Sequence, residues 1–237
     1  MTIIQKATTP FLVLPLVALA QSPIEVDWGT GIAGPVSVLT TSTGGAITPA
    51  DFDIQIGTFD AGFTPDSGNI DMWLANWNIF DAITVGDADP NDTFSSSGGL
   101  GGFQGTAFLQ ADGTSDSEDT ISGDVFPADS QAYIFIRDSD VPEGDSEWLL
   151  VTSETGNVWE FPEAGAGQEN QVVTFSLLDA DTAIFGGVND TVGEGLFDPN
   201  APDEFVLRTH TFVPEPSVSL LVVASCLSLL GRRRRIK

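Results

Sequence analysis

The amino-acid sequence predicts an all-β protein, and three observations support that prediction. Glycine, proline, aspartate and asparagine interrupt the chain at short intervals, as turn residues do. The runs between them are rich in β-branched and aromatic side chains. Several runs also alternate apolar and polar residues, as where Ile54 and Ile56 flank Gln55. We therefore expect a single antiparallel β-sandwich of jelly-roll type over residues 21–213.

Nine segments of this region show the strand pattern, and the segment at 133–136 shows it most strongly. That segment is continuously apolar, which predicts a central strand buried on both faces. Residues 21–34 are expected to form an edge strand and a turn. The nine predicted strands are residues 36–41, 52–59, 82–85, 106–110, 132–137, 148–153, 158–161, 172–177 and 204–212.

One segment breaks the alternating pattern and predicts the only helix of this domain. Its apolar residues recur at the spacing of one helix face, and they are Ile70, Trp73, Trp77 and Phe80. Asn69 precedes them as an N-cap. We expect an amphipathic helix of about three turns whose tryptophans pack on the sheet. The functional alternative is an aromatic platform that binds sugars.

The charge of residues 21–213 excludes one class of partner. This region carries 33 carboxylates against two basic side chains, Arg137 and Arg208, which gives a formal charge of −31. Such a surface repels nucleic acid and attracts cations. Binding to nucleic acid is therefore excluded, and the self-repulsion of the domain must be offset by salt or by bound cations.

The same region has few of the side chains that catalysis requires. The only cysteine, Cys226, lies outside it, and His210 is the only histidine of the chain. A zinc site needs several nitrogen or sulfur ligands, and no Gly-x-Ser-x-Gly motif is present. We expect His210 to be exposed or packed at a sheet edge, and we expect no enzymatic activity. The many carboxylates leave a glycan hydrolase open as a third reading.

Three acidic loops have the oxygen-rich composition of calcium sites. The first supplies Asp87, Asp89, Asn91 and Asp92. The second supplies Asp138 and Asp140, directly after a strong strand, and the third spans residues 112–119. None of them completes an EF-hand. We predict that at least one loop binds calcium, and the alternative for each is a solvated acidic loop.

The N-terminal residues 1–20 have the pattern of a secretory signal peptide. Lys6 precedes an apolar run at 11–19, and Ala18 and Ala20 form a small-x-small cleavage site. The pattern predicts cleavage by signal peptidase before Gln21.

The C-terminal residues 214–237 combine three features in order. Pro214, Glu215 and Pro216 form a rigid extended motif, because each proline fixes its own φ and restricts the residue before it. An apolar segment follows at 217–231, which would be about 22 Å long as a helix. A basic cluster then consists of Arg232, Arg233, Arg234 and Arg235. The positive-inside rule keeps this cluster cytoplasmic, so residues 21–213 are expected on the far side of the inner membrane.

These three features resemble the PEP-CTERM sorting signal of Gram-negative bacteria. The resemblance covers residues 213–237, and its departures are a short apolar segment and the presence of Cys226. It implies that an exosortase recognises Pro214–Pro216 and processes the tail, so that the membrane holds the protein transiently. The alternative is a permanent single-span anchor.

The expected function follows from these two ends and the acidic domain between them. We predict an exported, non-enzymatic protein of the cell surface or extracellular matrix, and the resemblance implies an association with exopolysaccharide. The alternative is a secreted carbohydrate-binding module that uses exposed tryptophans. Exposure of Trp148 and Trp159 on one face would favour sugar binding, whereas their burial would favour a structural role.

Overall fold

The structure is a computed structural model, and it describes residues 22–30, 39–45, 47, 50–83, 93–95, 102–120, 123–165, 171–199 and 207–212. Within these residues the regular elements are strands and a single short 3₁₀ helix, Ile70–Met72. The strands are β1 Ile24–Gly29, β2 Leu39–Thr40, β3 Asp53–Phe59, β4 Trp77–Ile83, β5 Thr93–Ser95, β6 Gly102–Leu109, β7 Tyr133–Arg137, β8 Glu147–Thr152, β9 Val172–Ser176, β10 Thr182–Phe185, β11 Gly187–Val188, β12 Thr191–Val192, β13 Leu207–Arg208 and β14 His210–Thr211. The predicted all-β class is confirmed.

The strands form three sheets. Sheet 1 has the order β5-β6-β1-β9, and sheet 2 has the order β10-β8-β7-β3-β4, with β14 also paired to β8. Sheet 3 is small and has the order β12-β11-β13-β2. The pairs β1–β9 and β13–β2 are parallel, so sheets 1 and 3 are mixed, whereas the strand pairs of sheet 2 are all antiparallel as predicted. Each parallel pair joins strands far apart in sequence, which is the long connection that parallel pairing requires.

Strand β1 is central in sheet 1, and the prediction of an edge strand at 21–34 was wrong. It pairs with β6 on one side and with β9 on the other. Alternate side chains of β1, Ile24, Val26 and Trp28, are buried in the core. Gly105 lies opposite Trp28, where a Cβ would stand 2.4 Å from the indole Nε1. A glycine is therefore required there for the indole to cross β6.

Sheets 1 and 2 contribute to one hydrophobic core. From sheet 1 come apolar residues of β1, β6 and β9, and from sheet 2 apolar residues of β3, β4, β7 and β8. The fully buried members include Val26, Leu109, Ile54, Ile56, Ile134, Ile136, Leu149 and Val151. Only alternate side chains of each strand point into this core, because the core contacts one face of each sheet.

The second face of sheet 2 is covered by a separate aromatic cluster. Its buried members are Phe59, Trp73, Trp77, Phe135, Trp148, Leu150 and Phe185. Sheet 2 is thus buried on both faces, and β7 lies in its interior between β3 and β8. Residues Ile134 to Arg137 of β7 are all buried, which confirms the predicted central strand.

The predicted three-turn helix from Asn69 was wrong. Only Ile70–Met72 is helical, and strand β4 begins at Trp77. A register shift opposite Ile56 and Gly57 places a β-bulge at Phe80. Trp77 and Phe80 are three residues apart on β4, so their side chains lie on opposite faces of the sheet. Trp77 packs in the aromatic cluster, whereas Phe80 packs in the shared core. A turn followed by a bulged strand has reproduced the spacing of a helix face.

Several predicted strands are confirmed, and others differ in extent. The strands at 52–59, 106–110, 132–137, 148–153 and 172–177 are present with shifted ends. Residues 158–161 form only an isolated bridge between Gln131 and Glu160. Strand β5 falls in a segment that has the composition of a loop, and strands β10, β11 and β12 were missed. The three missed strands are short, and they stabilise one another only through contacts formed in the folded chain.

Candidate functional site

Arg137 is one of the two basic side chains of residues 21–213, and it is buried. Its guanidinium forms ion pairs with Asp53 at 3.0 Å and Asp140 at 3.2 Å. It also donates to Oε1 of Gln55 at 2.7 Å, and the same oxygen accepts a bond from the indole of Trp77. Arg137 is therefore a structural cation that ties β3 and β7 to the following loop, and it is withdrawn from the surface.

Arg208 is the second basic side chain, and it is 3% exposed. Its guanidinium lies 3.9 Å from the ring centroid of Phe197, a cation–π contact. With both arginines buried, the charges that residues 22–212 present to solvent are carboxylates. The surface is therefore more uniformly acidic than the composition alone requires.

All five tryptophans of the chain are buried, each at 7% exposure or less. Trp148 and Trp159 are 0% and 1% exposed, and Trp73 and Trp77 lie inside the aromatic cluster. The structure therefore supports packing of Trp73 and Trp77 on the sheet rather than a sugar-binding role. An exposed tryptophan platform for sugars is not available on this protein.

His210 lies on β14 at the edge of sheet 2, yet it is fully buried rather than exposed. Its Nδ1 is 2.8 Å from the backbone carbonyl oxygen of Glu194, so Nδ1 carries the proton of the neutral ring. Its ring packs against Phe185 and Phe197. Burial lowers the pKa of His210, and its Nε2 has no hydrogen-bond partner in the described part of the chain. The ring is thus held as a core residue, not next to a nucleophile.

The carboxylate of Glu147 fastens the start of β8 to two neighbouring segments. Glu147 accepts bonds from the backbone and hydroxyl of Ser42, at 2.9 and 2.6 Å, and from the hydroxyl of Thr209 at 2.5 Å. Ser42 and Thr209 are buried and have lost their hydrogen bonds to water, and the bonds to Glu147 replace them. Glu147 therefore links β8 both to the turn after β2 and to the junction between β13 and β14.

Asp81 on β4 is a buried carboxylate that sequence reasoning missed. It is 2% exposed, and the Nε1 of Trp28 donates to its Oδ2 at 2.6 Å, which joins sheet 2 to sheet 1. Burial raises the pKa of Asp81 to about 6, although bonds from Trp28 and Ser117 oppose the rise. The available signal was a single acid inside the apolar run from Ile79 to Ile83.

The loop at 112–124 lies beside this carboxylate and borders a cavity of about 540 Å³. Asp112 accepts bonds from the backbone and hydroxyl of Thr114, and these bonds lower its pKa. Asp116 accepts a bond from the backbone of Phe108. Such local bonds are what short polar side chains make to shape turns. The loop therefore uses part of its carboxylate oxygens to hold its own fold.

The two remaining parts of the calcium prediction have different outcomes. Asp87, Asp89, Asn91 and Asp92 lie outside the described residues. Asp138 accepts a bond from the backbone of Glu147, and Asp140 pairs with Arg137. Among the residues that the structure describes, no group of three or more histidine, cysteine or carboxylate side chains could hold a metal ion. Calcium binding therefore stays a prediction, and the described loops do not add to it.

The residues of the two predicted processing signals lie outside the described residues. These are Ala18, Ala20, Pro214, Glu215, Pro216, Arg232, Arg233, Arg234 and Arg235, together with the apolar segment at 217–231. Over the part of the chain that is described, no helix is both long and apolar enough to cross a bilayer.

A groove of about 520 Å³ opens beside the last described residue, Phe212. It lies between the segment with the 3₁₀ helix, the loop before β8 and the turn after β12. Its lining residues are Ser67, Gly68, Ile70, Asp71, Pro142, Phe185, Glu194, Gly195 and Phe212. Gly195 has a φ of +94°, and a Cβ there would stand 2.6 Å from the Cβ of His210. Glycine is therefore needed for the turn to approach β14 this closely.

We found no match to this chain among protein-family models, curated proteins or solved structures.

The acidic surface leads us to predict that salt raises the melting temperature. Raising NaCl from about 10 mM to about 1 M shortens the Debye length from about 30 to about 3 Å and so weakens repulsion between surface carboxylates. We expect the melting temperature to rise by at least about 2–4 °C, which corresponds to about 1 kcal/mol for a chain of this size. A melting temperature that falls or does not change would contradict a fold limited by charge repulsion.

The same measurement tests the calcium prediction when ionic strength is held constant. A site whose Kd is one hundredth of the calcium concentration would add about 2.7 kcal/mol of stability. Calcium chloride should therefore raise the melting temperature above that in sodium chloride with a chelator. Equal melting temperatures at millimolar calcium would reject the predicted calcium loops.

Proposed function

We propose that this protein is an exported, non-enzymatic component of the cell surface or extracellular matrix, sorted by an exosortase through its C-terminal tail. Signal peptidase would remove residues 1–20, and the inner membrane would hold residues 217–231 until the tail is processed. Association with exopolysaccharide follows from the resemblance of the tail.

The proposal of a non-enzymatic role rests on one observation. The side chains that most often bind ligands or take part in catalysis are buried. All five tryptophans, the histidine and both arginines of residues 22–212 are inside the protein. What remains on the outside is a surface rich in carboxylates. Such a surface is hydrated, repels like surfaces and concentrates cations, properties that suit a matrix component better than a catalyst.

The position of the last strand supports the sorting part of the proposal. Strand β14 ends at Thr211, three residues before Pro214. An enzyme that processes the tail would therefore meet the motif directly beside the folded domain. Because Pro214 and Pro216 favour extended backbone, the motif suits the grip of such an enzyme.

The packing of sheet 1 on sheet 2 around one core favours a β-sandwich architecture. The bond from Trp28 to Asp81 joins the two sheets. The jelly-roll connectivity is kept as part of the proposal, with the two parallel pairs as departures from it.

The two alternative functions have less support. A carbohydrate-binding module would use exposed aromatic rings, and Trp148 and Trp159 are buried. A glycan hydrolase needs two carboxylates that face the substrate, whereas Asp81, whose pKa burial raises to about 6, is 2% exposed and bonded to Trp28 and Ser117.

Intact mass of the protein purified from producing cells tests this proposal. In cells with the exosortase, we expect a mature N-terminus at Gln21 and a C-terminus near Pro214–Pro216. In cells without the exosortase, the tail should remain attached.

A variant of the motif supplies the control. The double substitution Pro214→Ala and Pro216→Ala should leave the tail attached in cells that have the enzyme. A full-length tail on the unmodified protein in those cells would instead indicate a permanent anchor and would refute exosortase sorting.

A further inference from the structure

The groove beside Phe212 lies very close to the sorting motif. Phe212 lines the groove, and Pro214 is only two residues further along the chain. Two residues span at most about 7 Å even when fully extended. An enzyme that grips Pro214–Pro216 would therefore work close to the surface around Phe212.

The folded domain cannot easily move this surface away from the motif. Thr211 and Leu196 exchange two backbone hydrogen bonds, of 2.8 and 2.9 Å, which fix the groove wall to β14. Phe212 itself packs on Trp148 and stacks on Phe185 at 4.6 Å between centroids. Freeing a longer spacer would require β14 to leave β8 and would expose these rings.

The groove has a definite chemistry. Its lining combines the apolar residues Ile70, Pro142 and Phe185 with the exposed carboxylates of Asp71 and Glu194. None of the lining residues that the structure describes is basic. Leu196, next to the groove wall, is 48% exposed. A complementary partner presents an apolar side chain flanked by lysine or arginine.

We propose that this groove is the docking surface for the enzyme that processes the tail, which inserts an apolar side chain flanked by a basic group. This inference rests on the proposed function, because it assigns to the exosortase a second contact besides Pro214–Pro216. The groove then makes recognition depend on a folded domain, so a chain whose β14 has not docked lacks the complete recognition surface.

Processing of the full chain in cells that contain the exosortase tests the proposal. The double charge reversal Asp71→Lys and Glu194→Lys should slow loss of the tail about tenfold, since rim charges act mainly on the rate of association. The matched control is Asp179→Lys with Glu163→Lys, two exposed acids outside the groove lining. The control has the same net charge as the groove variant and should be processed at the unmodified rate.

A spacer separates a docking effect from other effects of the substitutions. Six residues of Gly and Ser inserted between Phe212 and Val213 let the enzyme reach the motif without meeting the groove. In that background the groove variant and its parent should lose the tail at equal rates. A melting temperature measured for every variant shows that each is folded.

The outcomes distinguish this inference from the proposed function. If the unmodified protein keeps its tail, the proposed sorting fails. If it is processed while the groove variant is processed equally fast, sorting stands and docking is overturned. Slowing that equals that of the control pair, or that persists with the spacer, also overturns docking at this groove.

Discussion

Replacing Trp73 with alanine is expected to lower the free energy of unfolding by about 4 kcal/mol, the range measured when large buried aromatics are truncated. Trp73 is fully buried, and its ring lies 6.0–6.5 Å from those of Phe59, Phe135, Trp148 and Phe185. Its Nε1 donates to Asn69 at 2.7 Å, so the substitution also leaves the amide oxygen without this donor. Urea unfolding followed by the fluorescence of the remaining tryptophans measures the loss.

The neighbouring residue supplies the control for this prediction. Met72 is 50% exposed, and Met72→Ala should change the stability by no more than about 0.5 kcal/mol. Similar losses of stability for the two variants would show that packing of Trp73 in the aromatic cluster does not stabilise the fold.

Replacing Asp81 with asparagine is expected to remove the contribution of this buried carboxyl to the pH dependence of stability. The pKa of Asp81 is about 6 in the folded protein against 3.8 for the unperturbed group, so between these values the folded state binds more protons. Stability must therefore fall as pH rises through this window, by about 3 kcal/mol from this group alone. Asparagine keeps an oxygen for the indole of Trp28 and cannot ionise.

Urea unfolding at pH 4.5 and pH 8 measures this effect. Relative to the unmodified protein, Asp81→Asn should gain stability at pH 8 and little at pH 4.5. Asp179→Asn, which removes a carboxylate from the exposed surface, should shift both values by no more than a few tenths of a kcal/mol. If the difference between Asp81→Asn and the unmodified protein is the same at both pH values, Asp81 does not titrate in this window.

The strands that the sequence predicted well are those with strong local signals. The continuous apolar run at Tyr133–Ile136 is a central strand, and the alternation around Gln55 is strand β3. The segment from Ile70 to Phe80 was wrongly predicted because periodicity cannot distinguish a helix face from a turn followed by a bulged strand. The bulge depends on pairing between β3 and β4, which is not visible in either segment alone.

The roles of the few special side chains were harder to predict, because burial depends on contacts distant in sequence. Trp28 and Asp81 are 53 residues apart, and Thr209 and Glu147 are 62 residues apart. His210 was expected at an edge, and it is at an edge, but the turn after β12 closes over it. No local pattern encodes that closure.

The sequence by itself determined the charge of residues 21–213, the lack of cysteine there, the β-rich pattern and the order of features in the tail, because composition and short motifs are local properties. Only the tertiary structure decided which groups face water. It buried the tryptophans, His210 and both arginines, raised the pKa of Asp81 and formed the groove beside Phe212. The physical reason is that burial and desolvation arise when distant segments pack together, and the chain sequence specifies that packing only as a whole.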